Sequence, residues 1–265
     1  MFMLRIALAL QCIGMGLSAY HEPTALGTYL FLNTEISEKT TLLLDQVLGA
    51  ILGLAGLLLF FRWVACALLF AGTVVFVLSV LSARFGGGAL SEMAVIAASA
   101  RFGAPLCAWF LVFGPARHWQ AAAVGLRVAI ALTFFAHGIE AMAWHPQFID
   151  FIIVASQRLA GWSATQAFAQ QCLLVIGAGD IFCAVVIWHK RQVGVLSYMA
   201  FWGLVTALAR IVYAPNLWGV EEALMRSAHW GIPIWLIFWN LGSSQAATRV
   251  GDPLKNRENT YEPSA

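Results

Sequence analysis

Eight apolar stretches, approximately 4–20, 43–61, 64–83, 93–114, 126–144, 167–188, 193–213 and 228–242, divide this chain, each bounded by charged residues, Gly or Pro. About 20 apolar residues in a helix cross the ~30 Å hydrocarbon core of a bilayer. Inside lipid only a helix or a closed barrel satisfies its own backbone hydrogen bonds. The pattern therefore predicts an all-α integral membrane protein with eight transmembrane helices. Hydrophobic residues make up 61% of the 265 and charged residues 11%, against about a quarter charged in a soluble domain, so the lipid bilayer is the first expected partner. The formal net charge of +2 is small and its basic residues are scattered, which speaks against a nucleic-acid partner.

Basic residues set the expected orientation. Arg5, Arg62, Arg117, Arg127, Lys190, Arg191, Arg249, Lys255 and Arg257 fall at the N-terminus, in alternate loops and in the C-terminal tail, nine against six (Lys39, Arg84, Arg101, Arg158, Arg210 and Arg226) on the opposite side. Both termini are thus expected in the cytoplasm. Most acids, among them Glu22, Glu35, Glu38, Asp45, Glu92, Asp150, Glu221 and Glu222, belong to the outer side. Two outer connections, Tyr20 to Thr41 and Trp144 to Gln166, are long and contain Tyr29-Leu-Phe-Leu and Phe148-Ile-Asp-Phe-Ile-Ile, which suit short helices capping the bundle. The five cysteines, Cys12, Cys66, Cys107, Cys172 and Cys183, lie in apolar runs without CxxC or zinc-like spacing and read as packing thiols.

The chain also matches itself. Leu4-Arg5-Ile-Ala-Leu-Ala-Leu lies over Leu126-Arg127-Val-Ala-Ile-Ala-Leu, Val47-Leu-Gly-Ala over Val175-Ile-Gly-Ala, Ala83-Arg84 over Ala209-Arg210, and Ala100-Arg-Phe-Gly-Ala-Pro105 over Ala228-His-Trp-Gly-Ile-Pro233. The offsets drift only from 122 to 128. Ordered matches of this kind predict two four-helix repeats, 1–121 and 122–244, followed by a cytoplasmic polar tail, 245–265. The match also makes residues 1–20 a first span rather than a signal peptide. Four crossings return the chain to its starting side, so the repeats are parallel copies about an axis along the membrane normal.

Ionisable residues distinguish the halves. His137 corresponds to Met15, Glu140 to Ser18, Asp180 to Leu52 or its neighbour, and His229 to Arg101. His137 is ten residues past Arg127 and Asp180 ten before Lys190, which puts both about 15 Å into the bilayer. A carboxylate there costs at least ~2.5 kcal/mol on insertion scales, so Asp180 requires a partner, water or a proton. Together His137, Glu140, Asp180, Arg210, Glu222 and His229 form the candidate ligand-binding or proton-relay set of the second repeat. Each has a plain structural reading as well. His137–Asp180 or Arg–Asp pairing would fix helix packing, Arg210 would snorkel or pair with Glu140, Glu221 or Glu222, and His229 would cap a helix.

Three uses of the set are open. His137 and His229 could ligate a haem, although CxxCH is absent. His137, Glu140 and Asp180 could hold a divalent metal, although no HExxH-like spacing occurs and no metal is assigned. Proton relay, or binding of a polar headgroup or quinone, demands least of the spacing and ranks first. No Walker loop, dinucleotide GxGxxG or GxSxG elbow is present, so nucleotide chemistry and serine hydrolysis have no support.

The second half, residues 126 to 240, resembles the DoxX-like group of small four-helix membrane proteins through LRVAIALTFFAHGIEA, VIGAGDIFCAVVIW, WGLVTALAR and RSAHWGIP, and the first half resembles it more faintly. The lysine expected of that group after the first helix is replaced by Glu140 and Ala141. The resemblance implies a bacterial inner-membrane protein and a quinone-associated or redox-linked role, within a complex of membrane subunits for some relatives. A transporter for a small solute or proton, or a non-catalytic assembly scaffold, are the alternatives. Whether the chain is an enzyme is left open by the sequence.

Overall fold

The computed structural model describes residues 1–189 and 193–250, with side chains through 242. Among the described residues there are twelve α-helices and no strand. The first six are α1 (Phe2–His21), α2 (Ala25–Asn33), α3 (Glu38–Phe61), α4 (Ala65–Phe85), α5 (Ala94–Ala97) and α6 (Ser99–Phe113). The second six are α7 (Trp119–Met142), α8 (Pro146–Ala160), α9 (Gln166–Val186), α10 (Val193–Tyr213), α11 (Leu217–Met225) and α12 (Ser227–Val250).

Seven stretches among the described residues are long and apolar enough to cross a membrane: Phe2–Asn33, Glu38–Phe61, Ala65–Phe85, Ser91–Phe113, Ala116–Met142, Gln166–Val186 and Val193–Tyr213. The eighth expected span, 228–242, falls in α12. Leu54, Phe61, Val175, Phe182, Phe201 and Phe238 are each more than half exposed on the outside of the bundle. An apolar surface of this extent is stable against lipid, not water. The protein is a multi-span helical membrane protein.

Glycine decides how closely the helices pack. A Cβ on Gly16 would stand 2.7 Å from the Gly49 carbonyl oxygen, and one on Gly49 would stand 2.6 Å from that of Gly16, so α1 and α3 touch backbone to backbone. Gly138 and Gly177 do the same for α7 and α9, at 2.8 and 2.6 Å. Small residues let membrane helices approach so closely because no side chain stands between them.

The remaining contacts also come in pairs. α4 packs on α6 and α10 on α12; α2 bridges α3 and α4 as α8 bridges α9 and α10; α6 packs on α7, and α12 returns to pack on α1. Trp235 Nε1 donates to Met1 Sδ at 3.2 Å, which places the start of α1 beside the later part of α12. At the same level Arg127 donates to Asn240 Oδ1 at 3.0 Å.

Both long connections are helical. α8 buries Ile149 and Phe151 while Asp150 and Arg158 stay exposed, and Pro146 opens it where no intrahelical N–H is needed. Three features add detail to the sequence reading. The single segment 93–114 is two helices broken at Ala98, because Ala98 closes α5 before the chain re-enters α6. The outer connection after Tyr213 contains α11, whose N-cap Asn216 accepts from the Gly219 N–H. Asp45, counted with the outer acids, is buried in α3, where it accepts from the Thr24 N–H at 3.0 Å and the Thr24 hydroxyl at 2.5 Å.

α12 continues to Val250, past the start of the expected tail 245–265, whose remainder lies outside the described residues. Lys190, Arg191, Lys255 and Arg257, which enter the orientation argument, also lie outside the described residues, as does the Arg249 side chain.

Candidate functional site

The break between α11 and α12 carries the site's polar end. α11 ends at Met225, Arg226 turns the chain, and Ser227 starts α12, so Arg226 and His229 project into the second six helices. There a cavity of about 240 Å³ is enclosed by α7, α8, α9, α10 and the start of α12. Phe134, Phe148, Phe151, Ile152, Leu173 and Ile176 give it an apolar wall, and His137, Asp180, Trp202, Thr206, Arg210, Arg226 and His229 supply the polar groups.

His137 is held from both sides. Its Nδ1 donates to Glu140 Oε2 at 2.8 Å, one helical turn on, and its Nε2 accepts from Arg226 Nη1 at 3.5 Å. Arg226 in turn lies 3.8 Å from Glu222 Oε2, four residues earlier on α11. The His229 ring stands 5.5 Å from that of His137, and its buried Nε2 has no partner.

Asp180 forms a second polar group. Trp202 donates a side-chain hydrogen bond to it from α10, while the buried Oδ1 has no partner. Gly177 lies one turn away on α9 and seats against α7, which brings Asp180 to the level of His137. The close approach expected of Gly177 is therefore spent on α7, while the hydrogen-bond donor for Asp180 comes from α10.

Of the six sequence-derived candidates, His137, Asp180, Arg210 and His229 line the cavity. Glu140 and Glu222 stand behind it as the partners of His137 and Arg226. Arg210 departs from its expected pairing. Its Nη1 donates to the Thr206 carbonyl at 2.6 Å and its guanidinium lies 4.6 Å from the Phe151 ring centre, in cation–π geometry. Glu221 is taken instead by His21, whose Nδ1 donates to it at 2.7 Å, tying α1 to α11. At 3% exposure Arg210 is buried and does not snorkel.

Sequence reasoning missed Trp202 and Arg226, which both line the cavity. Arg101, Arg210 and Arg226 lie within electrostatic range of one another and of Glu140 and Glu222, and among the described residues the ion pair formed within this group is Arg226–Glu222 at 3.8 Å. Such a cluster favours an electron-rich or anionic group in the space it faces.

The geometry also bears on cofactors. Both ring nitrogens of His137 are engaged, by Glu140 and by Arg226, so His137 has none to offer a haem iron opposite His229. Among the described residues no three His, Cys, Asp or Glu side chains gather as a metal ion would require. No known family, curated protein or solved structure matches the chain.

Proposed function

We propose that this protein is an eight-span, tandem-repeat protein of a bacterial inner membrane, related to the DoxX-like group, and that its second repeat binds a quinone headgroup. The observation that carries the reading is the cavity itself. An aromatic and aliphatic wall meets two separate polar groups, Arg226–His137–His229 and Asp180–Trp202, with His229 Nε2 and Asp180 Oδ1 both buried and unpartnered.

A quinone ring is a flat apolar body with two carbonyl oxygens. Each carbonyl needs a donor when it leaves the membrane interface, because an unpaired buried polar group costs about 1–3 kcal/mol. Arg226 and His229 serve one oxygen; Trp202 and Asp180, in its protonated form, serve the other. At about 240 Å³ the cavity lies below the usual ~300–1,000 Å³ of pockets for drug-sized ligands, which suits a headgroup whose isoprenoid tail stays in lipid. In the redox-linked reading, partner membrane subunits supply the electrons and this chain supplies binding and protons.

The paired helix contacts, the two glycine seats and the two broken helices support the tandem arrangement. A proton or solute transporter is the second reading, favoured by the unpartnered Asp180 Oδ1 together with helices interrupted in both halves.

Titration of the purified protein in detergent with a short-chain ubiquinone analogue tests the proposal through fluorescence, because quinones quench indole on contact. Wild type is expected to show a saturable component that is absent from Trp202→Phe and shifted at least tenfold to higher concentration in His229→Phe and Asp180→Leu. Identical titrations for all four proteins would overturn the quinone assignment. Proton flux in liposomes abolished by Asp180→Asn, with no saturable quenching, would move the assignment to transport.

A further inference from the structure

The first six helices, with Met225 of α11, line a second cavity of about 190 Å³, and part of its lining falls at positions that also line the one in the second half. Met15, Leu52 and Arg101 line it where His137, Asp180 and His229 line the other. These are the positions that the internal sequence match pairs, at offsets of 122 and 128. The chemistry is different. Ser18, Ser79 and Ser82 bring hydroxyls, Arg101 brings a guanidinium, and neither an imidazole nor a midspan carboxylate is present in the lining.

Arg101 is the unusual member. It sits in the first turn of α6, within a membrane-length stretch, and its buried Nε has no partner. Among the described residues its side chain makes no salt bridge and no hydrogen bond; the Gln11 side chain bonds only its backbone carbonyl, at 2.7 Å. Its carboxylate neighbours Glu222 and Glu140 are committed elsewhere, to Arg226 and His137. Glu22 lies at the exposed rim of the cavity, where water screens it. A guanidinium inside a bilayer is normally matched by an acid or by backbone carbonyls. Arg101 faces a cavity edged with hydroxyl groups instead.

We infer that this cavity is a second ligand site, lined by other residues than the one in the C-terminal half, and that it takes a small oxyanion, a phosphate or carboxylate, on Arg101 with Ser79 and Ser82 as additional donors. A planar, forked donor matches an oxyanion in two parallel hydrogen bonds. Ser79 now donates to the Val75 carbonyl at 2.6 Å and can rotate to the ligand without leaving a buried donor unpaired. About 190 Å³ holds a single headgroup or free anion with a few waters, at ~30 Å³ per water. The shared chemistry has two sources, the phosphate of a membrane lipid that enters from the bilayer and a free anion that enters past the rim at Glu22 and Thr24.

Equilibrium dialysis of the full-length protein in detergent against radiolabelled inorganic phosphate reads the site directly. One phosphate per chain is expected for wild type, a loss of at least tenfold in affinity for Arg101→Gln, and partial retention in Arg101→Lys. Because Arg101→Gln could fold poorly, Ser82→Trp provides the second test: it fills the cavity, leaves Arg101 in place, and is expected to abolish binding while the quinone titration stays at its wild-type midpoint. Competition by dihexanoyl phosphatidic acid at lower concentrations than by acetate assigns the site to a lipid headgroup, and the reverse order assigns it to a free anion. Absence of phosphate, phosphatidic acid and acetate binding alike, or binding that survives both Arg101→Gln and Ser82→Trp, overturns the inference.

Discussion

The His137 and His229 rings stand 5.5 Å apart and tilted by 59°, yet they are held in opposite ways. His137 is tied at both nitrogens, to Glu140 and Arg226, while His229 keeps a buried Nε2 without a partner. Removing His137 leaves two partly buried charged groups short of a hydrogen bond, at about 1–3 kcal/mol. Replacing His229 by Phe removes a polar atom that nothing satisfies and keeps a ring of similar size. Thermal unfolding in detergent is therefore expected to show a lower midpoint for His137→Ala and a wild-type or higher midpoint for His229→Phe. A marked loss of stability in His229→Phe alone would mean that its imidazole has a structural partner.

Arg226 joins three elements, since it reaches His137 on α7 and Glu222 on α11 from the turn into α12. Arg226→Gln leaves Glu222 and Glu140 with one cation fewer, and a loss of about 1–3 kcal/mol is expected. Arg226→Lys keeps the charge but cannot reach both partners with one planar fork, so it is expected to fall between. The pair double mutant Arg226→Gln with Glu222→Gln checks the cause. It should recover part of the stability lost in Arg226→Gln, because no carboxylate is then left uncompensated on α11.

The spans were legible because each helix has to be apolar along its whole length in lipid, and the start of α1 or the end of α10 follows from that rule alone. The relative level of His137 and Asp180 was legible too, since rise per residue put them side by side, as the contact between Gly138 and Gly177 does. Contacts between distant helices were not. Nothing in the sequence distinguishes Trp202 from the other tryptophans until α10 is laid against α9. Arg226 was read as a loop residue of the outer side because α11 is only nine residues long. Its i+4 spacing from Glu222 and the N-cap Asn216 were the available signals. Arg101 was visible as the counterpart of His229, but its lack of a hydrogen-bonding partner appears only when its neighbours are known.

Backbone contact at Gly138 and Gly177 leaves no room for a side chain. Gly177→Val would set a Cβ 2.6 Å from a carbonyl oxygen that cannot rotate away, so α7 and α9 would have to separate. Overpacking of this kind costs about 1–3 kcal/mol and widens the cavity wall that both helices form. Gly49→Val is expected to do the same to α1 and α3, from the Gly16 carbonyl. Gly242→Ala, where the added methyl meets nothing within 4 Å, is the matched control and should unfold with wild type. Equal midpoints for all three variants, followed by thermal scanning, would contradict the close packing of both pairs.

α1 and α12 run antiparallel, with Gly231 against Ala7 and Trp235 bonded to Met1. The start of the chain and the later part of α12 consequently reach the same face of the bundle, alongside Arg127 and Asn240. A shared face of this kind leads us to expect an even number of crossings, and the excess of Arg and Lys read from the sequence predicts that this face is the cytoplasmic one. Single cysteines placed at Arg5 and at Ser243, in a background lacking the five native ones, are expected to resist a membrane-impermeant maleimide in intact cells and to react after lysis. A cysteine at exposed Gln157, beyond the buried part of α8, is expected to react before lysis. Labelling of the Arg5 and Ser243 positions in intact cells, with Gln157 protected, would invert the orientation while keeping the fold; labelling of only one of the two terminal positions would break the antiparallel pairing of α1 and α12 itself.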